Sequence, residues 1–304
     1  MTTSSEAPDG LQALEYIPRR ERGLIRDALH RLWANRGAKV GMGIVLFFVV
    51  VGYIIAPLLF SYEPRTDRDL PGRLSPPTRE HPFGTDELGR DILTRISHGT
   101  RISFTVGLFA AVFALSVGAL LGLISGYLGG FLETVVMRVM DVVLAFPALL
   151  LAIAIVAMRG PGLNNTMFAL GITYIPIYAR LARASVMGIK ELDYITAATG
   201  VGVPGYRIML RHVLPNSLSP LIVQFTLNIA TAIIECAALG FLGLGAQPPS
   251  PEWGAMLATG RVNLYIAPHV TLYPGLAIFV TVLAFNLLGD GLRDLLDPRL
   301  RAAH

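Results

Sequence analysis

The chain has 304 residues, 53% of them hydrophobic and only 15% charged, with a mean hydropathy of +0.57. A soluble domain carries roughly a quarter charged residues, so composition speaks against a water-soluble enzyme. The net charge of +4 does not mark a nucleic-acid binder: apart from Lys39 and Lys190 the 25 basic residues are Arg, scattered among 21 acids without a basic helix or RNA-binding signature.

The charge deficit is patchy. No Asp, Glu, Lys or Arg occurs at 40–62, 102–132, 142–158, 161–179, 212–234 or 262–289. A bilayer core takes about 20 predominantly apolar residues per helix, and in lipid each helix must satisfy its own backbone. With no alternating strands to suggest a barrel, the six stretches predict an all-α membrane protein of six transmembrane helices.

Residues 1–38 form a polar N-terminal segment rich in Arg. The apolar run after it is too late and too long for a secretory signal, so 39–61 reads as a retained first span. An external loop, 62–101, precedes five further spans at about 102–125, 134–158, 163–184, 217–240 and 272–289. They make a core over 102–290, with a loop at 186–216 and a tail at 291–304. Fifteen Lys and Arg fall on the side that holds both termini and nine on the other, which places both termini in the cytoplasm.

Helix two carries Gly118, Gly122 and Gly126 at four-residue steps. Bare backbone on one face lets a partner helix approach closely, within the chain more readily than between chains. Arg138 and Asp141 lie three apart on one face of helix three, about a turn inside the boundary. They either neutralise each other or line a polar cavity. Pro147 in the same span removes a backbone hydrogen bond and should kink it. Glu235 has no basic neighbour on its own helix, so it must find a partner elsewhere, become protonated or face water. With Asn228 two turns earlier and Arg138 and Asp141, it is a candidate for the polar lining of a path.

Several chemistries find no support. Gly200, Gly202 and Gly205 spell G-x-G-x-x-G, but Pro204 interrupts it between spans where no strand precedes. There is no G-x-x-x-x-G-K-[ST] loop, no paired metal spacing among the six histidines and no G-x-S-x-G elbow. Cys236 lies alone in an apolar stretch and reads as a packing residue.

The loop between spans four and five is the most informative segment. Residues 193–202 read D-Y-I-T-A-A-T-G-V-G and 207–216 read R-I-M-L-R-H-V-L-P-N. They predict a short amphipathic helix, a Gly-Pro turn where Gly202 takes a conformation reserved for glycine, and a basic amphipathic piece that stops at Pro215-Asn216 before the next span. A two-turn exposed helix suits insertion in a partner's groove.

This loop resembles the EAA motif of the permease subunits of bacterial ABC importers, E-A-A-x-x-x-G followed by a basic H-x-L-P-N ending. Ala197, Ala198, Gly202, His212, Leu214, Pro215 and Asn216 match, while Thr196 replaces the usual Glu. The F-G-T-D-E-L-G-R-D of 83–91, the A-L-G-F-L-G-L-G-A-Q-P-P of 238–249 and the N-L-L-G-D-G-L-R-D of 286–294, followed by Asp297 and Pro298, are similar to the second permease subunit of the dipeptide, oligopeptide and nickel family. Locally, Thr85 or Asp86 would cap a helix starting near Glu87, and Pro248, Pro249 and Pro251 would form an external turn.

The resemblance, over about 40–300, implies a type I ABC importer permease fold in the bacterial cytoplasmic membrane. It also implies a second homologous permease, two cytoplasmic ATPase subunits that bind ATP and Mg, and an extracytoplasmic substrate-binding protein. The chain itself would hold no cofactor or metal and perform no covalent chemistry. Tyr194, Thr196, Ala197, Ala198, Gly202, Arg211, His212, Pro215 and Asn216 would form the ATPase-coupling loop. Short peptides are the expected cargo, with glutathione or nickel as alternatives. An ion-coupled secondary transporter, the rival of another class, would need midplane ion ligands and repeated broken helices, and neither is evident.

Overall fold

The structure, a computed structural model, describes residues 35–60 and 68–296. Most of the N-terminal segment 1–38, the start of the loop 62–101 and the end of the tail 291–304 lie outside the described residues.

Helix α1, Arg36–Leu59, passes through a π turn at Val51–Ile55. Asn35 caps it, its side chain accepting from the Ala38 amide at 3.1 Å and donating to Asp294 near the far end of the chain, also at 3.1 Å. The segment that follows is built around Asp86, which is 1% exposed. Its carboxylate accepts from the Leu88 and Arg90 amides at 2.8 and 2.9 Å, from Arg90 Nε at 2.7 Å and from Arg95 Nη1. Thr85 accepts from the Ser75 amide and donates to the Gly72 carbonyl. Neither residue caps a helix. That role belongs to Asp91, which accepts from the Thr94 amide at 2.7 Å.

Helix α2, Ile92–Leu128, therefore begins ten residues before the charge-free stretch does. At 37 residues it is about 55 Å long, well beyond a bilayer core. Arg95 and Arg101, which interrupt the hydropathy here, belong to its first turns; Arg95 is held by Asp86, so a charged helix start stays folded.

Helices α3, Gly130–Leu144, and α4, Ala148–Arg159, meet at an 88° bend. The kink expected at Pro147 is a break: Pro147 stands at the N-cap of α4, so its missing N–H falls where helix amides are unpaired anyway. Helix α5 is Leu163–Lys190 and the short α6 is Asp193–Gly200. Helix α7, Gly205–Phe241, α8, Trp253–Gly260, and α9, His269–Leu296, complete the chain. Thr85 and Asp91 form an isolated bridge; among the described residues there is no strand.

Four helices, α1, α2, α7 and α9, are long and apolar enough to cross a membrane, or five spans if the bent α3–α4 pair counts as one. Helix α5, expected as a span at 163–184, has the length but not the hydropathy. It packs against α2, α3, α4 and α7 and buries Thr166, Thr173, Tyr174 and Tyr178. A helix walled in by protein needs no apolar surface all round.

Helices α2 and α5 are joined by the glycine ridge. A Cβ on Gly118 would overlap the Ile175 carbonyl and one on Gly122 the Ala179 carbonyl, so two backbones meet directly, within this chain. One apolar cluster gathers Phe48, Phe104, Trp253 and Phe285 from α1, α2, α8 and α9. A second lies between α2, α4, α5 and α7, with Cys236 buried in it as a packing residue. Trp253, wholly buried, donates its indole N–H to the Ile96 carbonyl at 3.1 Å and ties α8 to α2.

Candidate functional site

A third, small apolar cluster seats the loop. Ile195 from α6 and Ile208 and Val213 from the start of α7 bury against Leu123 of α2 and Val186 of α5. One face of α6 is thereby fixed while Thr196, Ala197 and Gly202 remain exposed and Ala198 is half-buried. Helix α6 ends in a Schellman turn. The Val203 amide reaches back to the Ala198 carbonyl at 3.1 Å and the Gly202 amide to the Thr199 carbonyl at 3.0 Å. Gly202 sits at φ +82°, and Ala198 and Val203 both pack on the apolar cluster.

The basic piece does not stop at Pro215-Asn216 as the sequence pattern suggests; it continues into α7 without a break. Pro215 has no N–H to donate, and a π turn at Met209–Val213 precedes it. The Asn216 amide then bonds the His212 carbonyl at 2.6 Å and the Tyr194 hydroxyl at 3.2 Å. The Tyr194 and His212 rings lie edge-on with centroids 6.3 Å apart. Residues 194, 212 and 216 are thus one unit that locks α6 to α7, with Arg211 exposed beside it. Tyr194, Tyr206 and Leu210 are exposed around the turn. At the base of the loop Lys190 donates to the Tyr127 carbonyl at 2.8 Å and closes the C-terminal end of α2.

The candidate path residues fall into two places. Glu235 finds its partner on another helix: the Tyr174 hydroxyl of α5 donates to its Oε2 at 2.7 Å. Two turns along α7, Asn228 accepts from Gln224 at 2.7 Å. The buried Tyr178 hydroxyl of α5 faces the Asn228 side chain, its hydrogen-bonding partner on α7. Tyr174 and Tyr178 face α7 one turn apart, so a polar seam runs between α5 and α7.

Arg138 and Asp141 are elsewhere and do not pair with each other. Asp141 accepts from Arg180 of α5 at 2.5 Å, and Glu133 from Arg183 Nε at 2.6 Å. The physical reason is geometry: α5 passes close enough that its guanidinium groups reach the acids of α3. These four charges and Arg138 line an open groove of about 800 Å³, which neither Glu235 nor Asn228 lines.

Residues 118–302 match the family model described as "Binding-protein-dependent transport system inner membrane component". This chain belongs to that family. Residues 23–77 of this inner membrane component also match the "N-terminal TM domain of oligopeptide transport permease C", so the likeness begins earlier than residue 40. The dipeptide transport system permease protein DppC of Alkalihalophilus pseudofirmus is 49% identical over 277 residues, 91% of this chain and 90% of its own length. The glutathione transport system permease protein GsiD of Pectobacterium atrosepticum is 45% identical over 272 residues, 90% of each chain. Among solved structures, the MetNI methionine ABC transporter in inward-facing form aligns with a TM-score of 0.52 at 20% identity, covering 68% of this chain and 96% of the other. That alignment establishes an ABC importer permease fold for this inner membrane component.

Sequence reasoning missed Tyr174, Arg180 and Arg183 as partners of the charges it singled out. The spacing of Arg180 and Arg183 on one face of α5 was a usable signal; nothing in the local pattern around Tyr174 separates it from a core tyrosine. It also missed Glu252, wholly buried, which caps α8 by accepting from the Gly254 and Ala255 amides at 2.8 Å each. Burial pushes its carboxyl up from the ordinary value, and those two amides pull it back down.

Proposed function

We propose that this chain is one half of the translocation path of an ATP-driven importer of short peptides. The 49% identity to a dipeptide permease across nine-tenths of both chains carries this reading. The 45% identity to a glutathione permease keeps glutathione, itself a tripeptide, as the second reading. Partners are a related second permease, two ATPase subunits holding ATP and Mg, and an extracytoplasmic binding protein. Six crossings, both termini in the cytoplasm and no covalent chemistry in this chain complete the proposal.

The coupling loop carries the mechanism. Helix α6 is seated on α2 and α5 through Ile195 and presents Thr196, Ala197 and Gly202 outward to the ATPases. When those close on ATP, α6 moves and carries with it α2 and α5, on which it is seated. Differential contact with the two states of the ATPases then shifts the bundle between inward and outward openings. The α5–α7 seam and the α3–α5 groove supply polar groups to the path. Reconstituting both permeases, the ATPases and the binding protein in proteoliposomes tests this. ATP-dependent uptake of labelled dipeptide, outcompeted by unlabelled dipeptide more strongly than by glutathione or nickel, is expected. Uptake of nickel or glutathione without dipeptide would overturn the peptide reading.

A further inference from the structure

At the end of α2 remote from the coupling loop there is a cavity of about 550 Å³, bounded by the Asp86 loop, the Pro248–Ser250 turn and α8. That volume is in the range of small-molecule sites. Its wall is unusual for charge. Arg68, Arg90 and Arg95 line it together with Glu87. Arg90 is engaged by Asp86 and by Glu87 Oε1 at 3.2 Å, and Arg95 holds Asp86 through Nη1.

Two polar atoms remain unmatched. Arg95 is 4% exposed and its Nε has no hydrogen-bond partner among the described residues; the Glu87 side chain is 26% exposed, but its Oε2 is buried and likewise without a partner among them. The Asp86 network engages Arg90 Nε and Arg95 Nη1 but reaches neither of these two atoms. An ionised donor and an ionised acceptor, each unsatisfied beneath the wall of one cavity, represent binding capacity that folding alone leaves unused.

We propose that this cavity binds the zwitterion of an amino acid or short peptide, its carboxylate against Arg95 and Arg68 and its ammonium against Glu87. Arg95 and Glu87 turn their unpaired atoms to the ligand and keep Asp86 and Arg90 as second partners. A neutral or singly charged ligand would satisfy one atom and leave the other bare, so selection is for both charges together. The proposal rests on the peptide reading above and deepens it: cargo would meet this chain at its outer mouth before entering the seam between α5 and α7.

The test is equilibrium binding of labelled glycyl-leucine to the permease pair and its ATPases in nanodiscs, with the binding protein omitted, beside acetate, ethylamine and N-acetylglycyl-leucine as competitors. One saturable site is expected that acetate, ethylamine and the acetylated peptide each compete for at least about tenfold less well than unlabelled glycyl-leucine, the usual scale of one charge-assisted hydrogen bond. Glu87→Gln, which preserves shape, and Arg95→Lys, which preserves the charge facing Asp86, should each weaken binding about tenfold, and Thr259→Trp at the cavity lip should abolish it. Assembly of each variant with the ATPases serves as the folding control. No saturable binding, equal competition by acetate, or binding unchanged in all three variants would overturn the proposal. Uptake by the complete wild-type system separates the two readings: dipeptide uptake without binding here refutes this site alone, whereas absent dipeptide uptake refutes the peptide reading itself.

Discussion

Replacing Gly202 probes the proposed coupling loop with little collateral damage. Its φ of +82° is left-handed, while a Cβ built on it meets nothing within 4 Å. The cost of a side chain is therefore backbone strain alone, about 1–2 kcal/mol for an ordinary L-residue. That is roughly a 5- to 30-fold loss in the population of the closed turn. Opening the turn breaks the Val203–Ala198 and Gly202–Thr199 hydrogen bonds and loosens Ile195 from Leu123 and Val186. Gly202→Ala carries the strain without charge; Gly202→Asn, which tolerates the conformation, carries little of either; Gly202→Asp adds a charge at the exposed face. All three should insert and pair with the second permease, since the spans are untouched. Retention of the ATPases on the purified complex and dipeptide uptake should be near normal for Asn and reduced severalfold for Ala, while Asp, which tolerates the conformation about as Asn does, should fall below Asn through its charge alone. Wild-type retention and uptake in both Gly202→Ala and Gly202→Asp would refute the assignment of this loop as the coupling element.

Gly122→Val drives a branched side chain into the Ala179 carbonyl and should destabilise the chain by about 1–3 kcal/mol, seen as a lowered Tm in detergent; an unchanged Tm would contradict the backbone contact. Tyr174→Phe and Glu235→Gln should each lower uptake more than assembly, and the double variant should be little worse than either single one, because they remove one shared hydrogen bond; strictly additive losses would place the two residues in separate roles. Arg180→Ala should leave Asp141 without its ion pair and reduce uptake, with Asp141→Ala in the same background restoring part of it; no rescue would mean that the pair does not act as a unit. A reporter after His304 should behave as cytoplasmic and one beside Arg73 as external, and the reverse pattern would sink the six-crossing topology.

Charge-free runs made the long helices legible, because lipid forbids what water permits: 40–59 lies within α1 and the expected span 272–289 lies within α9. The glycine ridge was also legible, since only close helix contact explains three glycines at that spacing. The start of α2 at Ile92 was hidden because a buried arginine, Arg95, counts as a break in hydropathy while its neutralising partner, Asp86, lies nine residues back. Helix α5 is the reverse case: its stretch at 161–179 is free of charge, yet it falls short in hydropathy because its polar residues are buried between helices. Arg138 and Asp141 show the limit of same-helix reasoning. Their i, i+3 spacing permits a pair, but Arg180 approaches from a helix whose position no local pattern encodes. Gly202 was readable because the constraint is local, one residue's φ.

Helices that touch through bare glycine cannot slide by a fraction of a turn without dragging a side chain across a carbonyl. The α2–α5 pair is accordingly a single strut, about 55 Å long on its α2 edge, with the seat of α6 at one end and the Asp86 loop at the other. Such a strut does not stretch or shear under load. Whatever rocks the α6 loop must tilt the far end by the same angle, and the give has to be found at the joints instead, in the sharp corner at 145–147 and the turn at 201–204.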